Sequence, residues 1–324
     1  MSNRKRKSTI FIDKIIGEPI FRFVVNNTSN KKIKINKKEI RNILLIRPGG
    51  IGDYLLTIPS FKRIRKMFPK SKITIFLFKR NAKCLSLYDN FDRKVIIDNP
   101  LSLINYLSEK KDYDLAIDFD QHRKIASILT LLSKSKIRIG FDNNYKGKAY
   151  NYPIRYRKDM YEADSFLGLL KPLGIDEKVK EKDLILEIKE NKPKLLKNGY
   201  NIGIYASAMK EENRLPLEKW VEIIKKLGKN KNYYFIGTQN ESARYDKLQE
   251  KLKGYNIIRA DGCLSLNESL SLIKNMKLLF SEDGGVYHLG VCAEIPTISY
   301  WLHGKDNMKK WKAPFKKHKG VLVK

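Results

Sequence analysis

The stretch that most narrows the folding options is Arg41–Asp53. An apolar run, Ile43-Leu44-Leu45-Ile46, ends abruptly at Pro48-Gly49-Gly50-Ile51-Gly52-Asp53 and passes directly into a helical pattern over 54–68. A run apolar on both faces reads as a buried parallel strand, and a glycine-rich turn opening a helix supplies the crossover that parallel neighbours require. Pro69 closes that helix.

The same alternation continues along the chain. Strands are predicted at 72–78, 95–98, 115–119 and 137–140, with helices at 101–109 and 125–133. A helix over 161–170 is stopped by Pro172-Leu173-Gly174, and a charged connection over 178–197 holds a short strand at 184–188. A second series follows, with strands at 201–205, 233–236, 257–258, 278–280 and 297–300. Its helices are predicted at 217–227, 242–253, 266–276 and 283–293. Alternating strands and helices with short turns build doubly wound parallel sheets. The 324 residues exceed what one core usually serves. The expected fold is therefore α/β, with two Rossmann-like parallel-sheet domains facing across a cleft, where ligands bind beyond the carboxyl ends of the strands. The expected organisation is an arm over 1–40, a first domain over 41–165, a linker over 166–196 and a second domain over 197–324.

Charge bears on partners. Against 66 Lys+Arg stand 35 Asp+Glu, a net +31, while 42% hydrophobic residues exclude a largely disordered chain. Residues 1–41 hold twelve Lys/Arg against three acids, and their basic clusters flank an apolar stretch over 10–25. Such an arm suits an anionic membrane interface, or equally a helix packed on the body. The positive charge also admits a nucleic-acid-binding protein, yet no RRM, KH, helix-turn-helix or zinc pattern is present. Cys84, Cys263 and Cys292 lie far apart and form no metal or disulfide framework, which fits a reducing cytoplasm. No apolar run approaches the roughly 20 residues that span a bilayer, and no signal peptide is expected.

Two turns carry the chemistry. Gly50-x-Gly52 matches a dinucleotide fingerprint only partly, since Leu55 holds the third glycine position and Lys79-Arg80 end the next strand where an acid is expected. An NADP oxidoreductase is thus a weak alternative. What stands out is Asp53 at a helix start, either capping the helix or acting as a fixed, ionised general base. The second turn, Ser281-Glu282-Asp283-Gly284-Gly285-Val286-Tyr287-His288, follows a strand and opens a helix, an arrangement that suits a diphosphate. There His288 is either a core histidine or a site residue. Asp112-x-Asp114 and Asp118-x-Asp120 have the look of metal-chelating pairs, but they flank a strand of the first domain, remote in sequence from the diphosphate turn.

Residues 43–59, Ile-Leu-Leu-Ile-Arg-Pro-Gly-Gly-Ile-Gly-Asp-Tyr-Leu-Leu-Thr-Ile-Pro, resemble the opening strand, turn and helix of glycosyltransferase family 9, the ADP-heptose:lipopolysaccharide heptosyltransferases. Asp283-Gly-Gly-x-x-His288-Leu is similar to that family's D-[ST]-G-x-x-H-L signature, and Tyr113–Asp118, Arg138-Ile-Gly140 and Leu215-Pro-x-x-x-Trp220 fall in the family's order. The resemblance implies a GT-B fold and inverting transfer of heptose from ADP-heptose to a lipopolysaccharide inner-core acceptor. It implies an acceptor-binding first domain and a nucleotide-sugar-binding second domain. Asp53 matches the family's catalytic base, and Gly50, Gly52 and Arg123 are assigned to the acceptor side. Gly284 and Gly285 match the diphosphate turn, with His288 beside it. Asp283 matches the residue near the heptose hydroxyls, Glu241 the ribose-binding glutamate and Leu264 an adenine-wall position. Two departures stand out. Gly284 replaces a Ser/Thr, and Asn213 stands where the family has a lysine, so Arg214 or Lys210 is expected to stabilise the leaving group. The expected partners are a nucleotide-sugar donor, a phosphorylated glycolipid and the anionic inner-membrane surface, with no nucleic acid, no cofactor and no metal. The expected place is cytoplasmic, peripheral to the inner membrane. Another nucleotide-sugar donor or a protein acceptor on the same fold is the alternative.

Overall fold

The computed structural model describes residues 21, 25, 30–109, 112–188, 193–208, 211–302 and 304–323. They divide into two compact units. The first runs to Lys83 and adds Asp89–Arg157 and Ala163–Val179; the second comprises Cys84–Tyr88, Lys158–Glu162 and the chain from Lys180 onward.

In the first unit the order is β1 (Asn42–Ile46), α1 (Ile51–Met67), β2 (Lys72–Phe78), β3 (Arg93–Ile97), α2 (Pro100–Ser108), β4 (Leu115–Asp118), α3 (Lys124–Leu132), β5 (Ile137–Asp142) and β6 (Tyr152–Arg155). Helix α4 (Glu162–Gly168) follows. The sheet runs β3-β2-β1-β4-β5-β6, with every pairing parallel. Ile43, Leu44, Leu45 and Ile46 are wholly buried, as a central strand covered on both faces demands. Phe61 of α1 meets Tyr54, Phe91 and Phe119 edge to face, with ring centroids 5.3–5.6 Å apart.

In the second unit the order is β7 (Asn201–Tyr205), α5 (Leu217–Leu227), β8 (Asn232–Gly237), α6 (Ser242–Lys251), β9 (Asn256–Asp261), α7 (Leu266–Lys274), β10 (Leu278–Glu282), α8 (Gly285–Cys292), β11 (Thr297–Trp301), α9 (Gly304–Trp311) and β12 (His318–Leu322). Its sheet runs β12-β11-β10-β7-β8-β9, again all parallel. In both units the first strand lies centrally, the second and third extend to one side, and the fourth to sixth extend to the other. Each sheet therefore reverses winding between its first and fourth strands, at β1/β4 and at β7/β10, and it is beyond the carboxyl ends there that ligands of such sheets bind.

The structure departs from the sequence expectation at the edges. β6, β12 and α9 are additional elements. The two strands are edge strands whose Tyr-Pro-Ile-Arg and His-Lys-Gly-Val-Leu sequences bury few side chains, so no apolar run marks them. No strand forms at 184–188. Asp183 accepts from the backbone N–H of Lys180 at 2.9 Å and winds Glu181–Leu184 into a helical turn, after which Leu186 N–H bonds to the Cys292 carbonyl at 3.0 Å. The first 20 residues of the arm lie outside the described residues. Phe21 and Val25 are buried against Ile128, Leu131, Ala149 and Tyr150, and Lys124 Nζ lies 5.8 Å from the centre of the Phe21 ring.

Register in the second sheet is held at its amino end by an asparagine ladder. Asn201, Asn232 and Asn256 are cross-strand neighbours; Asn232 Nδ2 donates to Asn201 Oδ1 at 2.7 Å, and Asn256 Nδ2 donates to Asn232 Oδ1. Asn232→Ala strands both neighbours at once. It is expected to cost about 1–3 kcal/mol in urea unfolding, because the buried Asn201 side-chain oxygen loses its donor. An unchanged midpoint would show that the ladder is incidental.

Candidate functional site

At the switch point of the first unit, β1 delivers Arg47, whose side chain is wholly buried. Its Nη1 donates to the Phe119 carbonyl at 2.7 Å and lies 3.5 Å from Gln121 Oε1, while Cζ sits 4.7 Å from the centre of the Phe166 ring. Nη2 stands 2.8 Å from Asp53 Oδ1. The other Asp53 oxygen accepts from Gly50 N–H at 2.8 Å. Helix α1 begins at Ile51, three residues before the expected start, so Asp53 lies within its first turn and does cap it. A quarter of the Asp53 side chain remains open to solvent. Gly49 is required by close approach: a Cβ there would lie 2.7 Å from Arg47 Nη2 and 2.9 Å from Asp53 Cβ.

The neighbouring strand, β4, brings two more carboxylates. Asp118 Oδ2 accepts from Tyr150 Oη at 2.6 Å and lies 3.1 Å from the buried Lys146 Nζ. Asp120 Oδ1 accepts from the backbone N–H of His122 at 2.8 Å and of Arg123 at 2.5 Å, and its Oδ2 accepts from Arg123 Nη1 at 2.6 Å. Arg123 Nη1 also reaches the Pro48 carbonyl at 3.4 Å, so Gly50, Gly52, Asp53 and Arg123 come together. Three carboxylates thus face Arg47, Arg123 and Lys146. Burial raises the Asp53 carboxyl, but Arg47, the Gly50 N–H and Arg123 outweigh it and hold Asp53 below its usual range. Burial likewise works against Asp120, and Arg123, Lys146 and Arg47 overcome it. For Asp118 burial prevails over Lys146, and its carboxyl is pushed up.

Three of the four Asp-x-Asp carboxylates hold their own chain. Asp118 and Asp120 are committed to the cations just described, and Asp114 Oδ2 accepts from the backbone N–H of Arg41 and Asn42 at 2.8 and 2.9 Å. Among the described residues no group of three or more His, Cys, Asp or Glu is arranged to hold a metal ion.

The second unit gathers its candidates at the carboxyl end of its sheet. Arg214 follows β7 and donates from Nε to the Ala208 carbonyl at 2.9 Å. Glu241 follows β8; its Oε2 accepts from the N–H and hydroxyl of Thr238, each at 2.7 Å, and Oε1 lies 3.5 Å from Ser207 Oγ. Leu264 lies half-buried between β9 and α7. After β10, Asp283 accepts from Asn307 Nδ2 at 3.4 Å, Gly284 precedes α8, and Gly285 is its first residue. His288, one turn into α8, is buried and its ring meets those of Tyr287 and Trp311 edge to face, at 5.1 and 6.3 Å. Lys210 lies outside the described residues.

Three residues of this site carried no recognised signal. Tyr205 ends β7 against Gly284. Glu282 is buried beneath the turn, accepting from Trp220 Nε1 at 2.7 Å, with Arg244 Nη2 3.8 Å away. Arg244 donates to the carbonyls of Ala206, at 2.6 Å, and Leu215. The Leu-Pro-x-x-x-Trp motif is thereby explained, since Trp220 holds Glu282 in place. Arg47, Asp118, Asp120 and Lys146 likewise stand outside the site residues that the sequence motifs mark. The Asp-x-Asp spacing flagged two of them, and Lys146 sits in an irregular stretch with no pattern.

Burial pushes the Glu282 carboxyl up to about 7 despite Trp220 and Arg244. Its protonated form is favoured by folding, so the associated stability is full below pH 4.5 and is lost as pH rises through 7. Wild type is expected to lose about 3 kcal/mol relative to Glu282→Gln between pH 4.5 and 8. Urea melts at the two pH values would refute this if the two proteins tracked each other.

The family model of glycosyltransferase family 9 (heptosyltransferase) matches residues 101–324, a stretch that begins after Asp53. Lipopolysaccharide heptosyltransferase 3 of Escherichia coli is 28% identical over 150 residues, which cover 40% of this chain and 42% of that relative, so the match spans less than half of the relative's length. Among solved structures, a family 9 glycosyl transferase from Veillonella parvula superposes with a TM-score of 0.74 at 19% identity, covering 91% of this chain and 88% of its own. The ADP-heptose lps heptosyltransferase II of E. coli gives 0.71 at 16% identity, covering 87% and 90%. E. coli heptosyltransferase WaaC with ADP gives 0.68 at 16% identity, covering 87% and 93%. These structural likenesses establish a shared fold.

Proposed function

The chain belongs to glycosyltransferase family 9, and from that premise we propose that it transfers heptose from ADP-heptose to a phosphorylated glycolipid of the lipopolysaccharide inner core, with inversion at the anomeric carbon. The observation carrying this reading is that both candidate turns occupy equivalent switch points, Asp53 beyond β1 and Gly284–Gly285 beyond β10. In this reading the acceptor oxygen attacks the anomeric carbon and its proton passes to Asp53. The bond to the β-phosphate oxygen breaks, and ADP leaves with the electron pair. Gly284 and Gly285 let the first N–H groups of α8 approach the diphosphate, and Arg214 offsets charge developing on it. The departure from the family's lysine at Asn213 assigns that role to Arg214. In this reading Glu241 takes the ribose and Leu264 the adenine. The transfer is proposed to need no metal, the glycine turn and Arg214 carrying the diphosphate charge instead.

Asp53 is rigid, ionised and partly open, which suits a base, and Arg47 fixes its orientation. Asp53→Asn keeps the shape and the Gly50 contact, and is expected to lower kcat about 100- to 10,000-fold with little effect on donor binding. The assay is transfer from ADP-heptose to truncated lipopolysaccharide, with and without a chelator. Full activity of the variant would remove Asp53 as base; turnover of a different nucleotide sugar, or of a protein acceptor, would keep the fold and replace the substrate.

The place of action is proposed to be the cytoplasmic, anionic face of the inner membrane. Among the described residues no helix is long and apolar enough to cross a membrane. Leu101 and Ile104, three residues apart on α2, are 64% and 60% exposed, and the chain carries +31. Sedimentation with phosphatidylglycerol vesicles is expected, weakening several-fold with salt and with Leu101→Glu/Ile104→Glu. Equal binding to neutral vesicles, or tight salt-resistant binding to arbitrary RNA instead, would contradict it.

A further inference from the structure

Gly284 has an extended backbone, with φ near 178°, so its conformation does not call for glycine. Its surroundings do. A Cβ at this position would lie 2.8 Å from Tyr205 Cε1 and 3.2 Å from the Tyr205 hydroxyl oxygen. The phenol therefore fills the space that a side chain at 284 would need, at the junction of β7 and β10 and immediately before the first turn of α8. Tyr205 is only partly buried.

The protonation of that hydroxyl is settled by its neighbours. Burial together with the carboxylates of Glu241 and Glu282 pushes the phenol above its ordinary 10, and Ser207 hydrogen-bonds to it. A phenol in this setting is a donor near neutral pH, not a base. Gly284, Gly285 and the start of α8 add backbone donors on one side, and Arg214 adds a cation that acts on the same hydroxyl. Donors converging on a helix start select an anion, and a neutral O–H among them contributes direction without charge.

We infer that Tyr205 is a donor-binding residue of this chain, its hydroxyl donating to a diphosphate oxygen from the position that a hydroxyl side chain at 284 would occupy. This rests on the reading of the second unit as a nucleotide-sugar site, and it adds a contact that neither glycine turn nor arginine supplies. It also accounts for the pairing of Gly284 with Tyr205, since either residue can be large only if the other is small.

ADP and adenosine binding, measured by calorimetry, test it. Tyr205→Phe keeps the ring and its packing while removing the hydroxyl. It is expected to weaken ADP roughly 10- to 100-fold, as loss of a hydrogen bond to a charged group does, and to leave adenosine unchanged. Gly284→Ser alone is expected to weaken ADP through collision with the ring, and Tyr205→Ala/Gly284→Ser to recover most of the affinity because the serine hydroxyl takes the vacated space. Wild-type affinity for ADP in Tyr205→Phe, or equal losses for ADP and adenosine, would overturn the assignment alone. A wild-type protein that binds no ADP would overturn it together with the reading it rests on.

Discussion

The buried Arg47 guanidinium is the interaction on which the first unit depends. A cation withdrawn from water costs several kcal/mol unless its charge and its N–H groups are answered locally. Asp53 answers the charge, the Phe119 carbonyl an N–H, and the Phe166 ring the face of the plane. Those partners belong to α1, the end of β4 and α4, so one side chain ties the central strand to three other segments. Gly49 follows from it, because the chain must turn past the guanidinium without a side chain of its own. Asp118, Asp120, Arg123 and Lys146 extend the same logic, since each buried charge is tolerable only beside an opposite one.

Much of this architecture was legible in the amino-acid order for a physical reason. Strands buried on both faces must be apolar throughout, and glycine turns must open the helices that return the chain. Hence β1, β2, β7, β10 and the presence of α1 and α8 after their glycine turns could be read from the sequence. β6 and β12 could not, because an edge strand buries half its side chains at most and needs no apolar run. The apparent strand at 184–188 failed for the converse reason: apolar alternation there serves burial, while Asp183 diverts the backbone into a turn.

The sites were legible to a different depth. Asp53 and the 283–288 turn stand in short contiguous motifs, because a helix start positions its own nearest residues. Lys146, Tyr205 and Arg244 act through partners distant in sequence, and nothing in their immediate neighbours marks them; Arg47 and Glu282 lie inside the two motifs, but Phe119, Phe166 and Trp220, which hold them, lie far off. The Asp-x-Asp spacing shows the limit most plainly. Two carboxylates two residues apart at a strand end can serve a metal or a pair of basic side chains, and here Lys146, arriving from a distant loop, and Arg123, three residues on, pair with them.

The price of a well-fixed base is weakness. Arg47, the Gly50 N–H and Arg123 hold Asp53 ionised but also lower its affinity for a proton, so in the proposed transfer it would remove the acceptor proton late, once the new carbon–oxygen bond has made the hydroxyl acidic. A base of this kind cannot drive the displacement from its own side. Barrier lowering then has to come mainly from the departing group, where charge accumulates on the diphosphate. That demand falls on residues able to donate without themselves adding negative charge. In the proposed site, backbone N–H groups at the start of α8 would meet it, as would Arg214 and a neutral phenol, whereas Glu282 would meet it only by keeping its proton. Burial of Glu282 under the donor turn has the right sign for that demand, since it keeps a negative charge from forming beneath the leaving group until pH passes about 7.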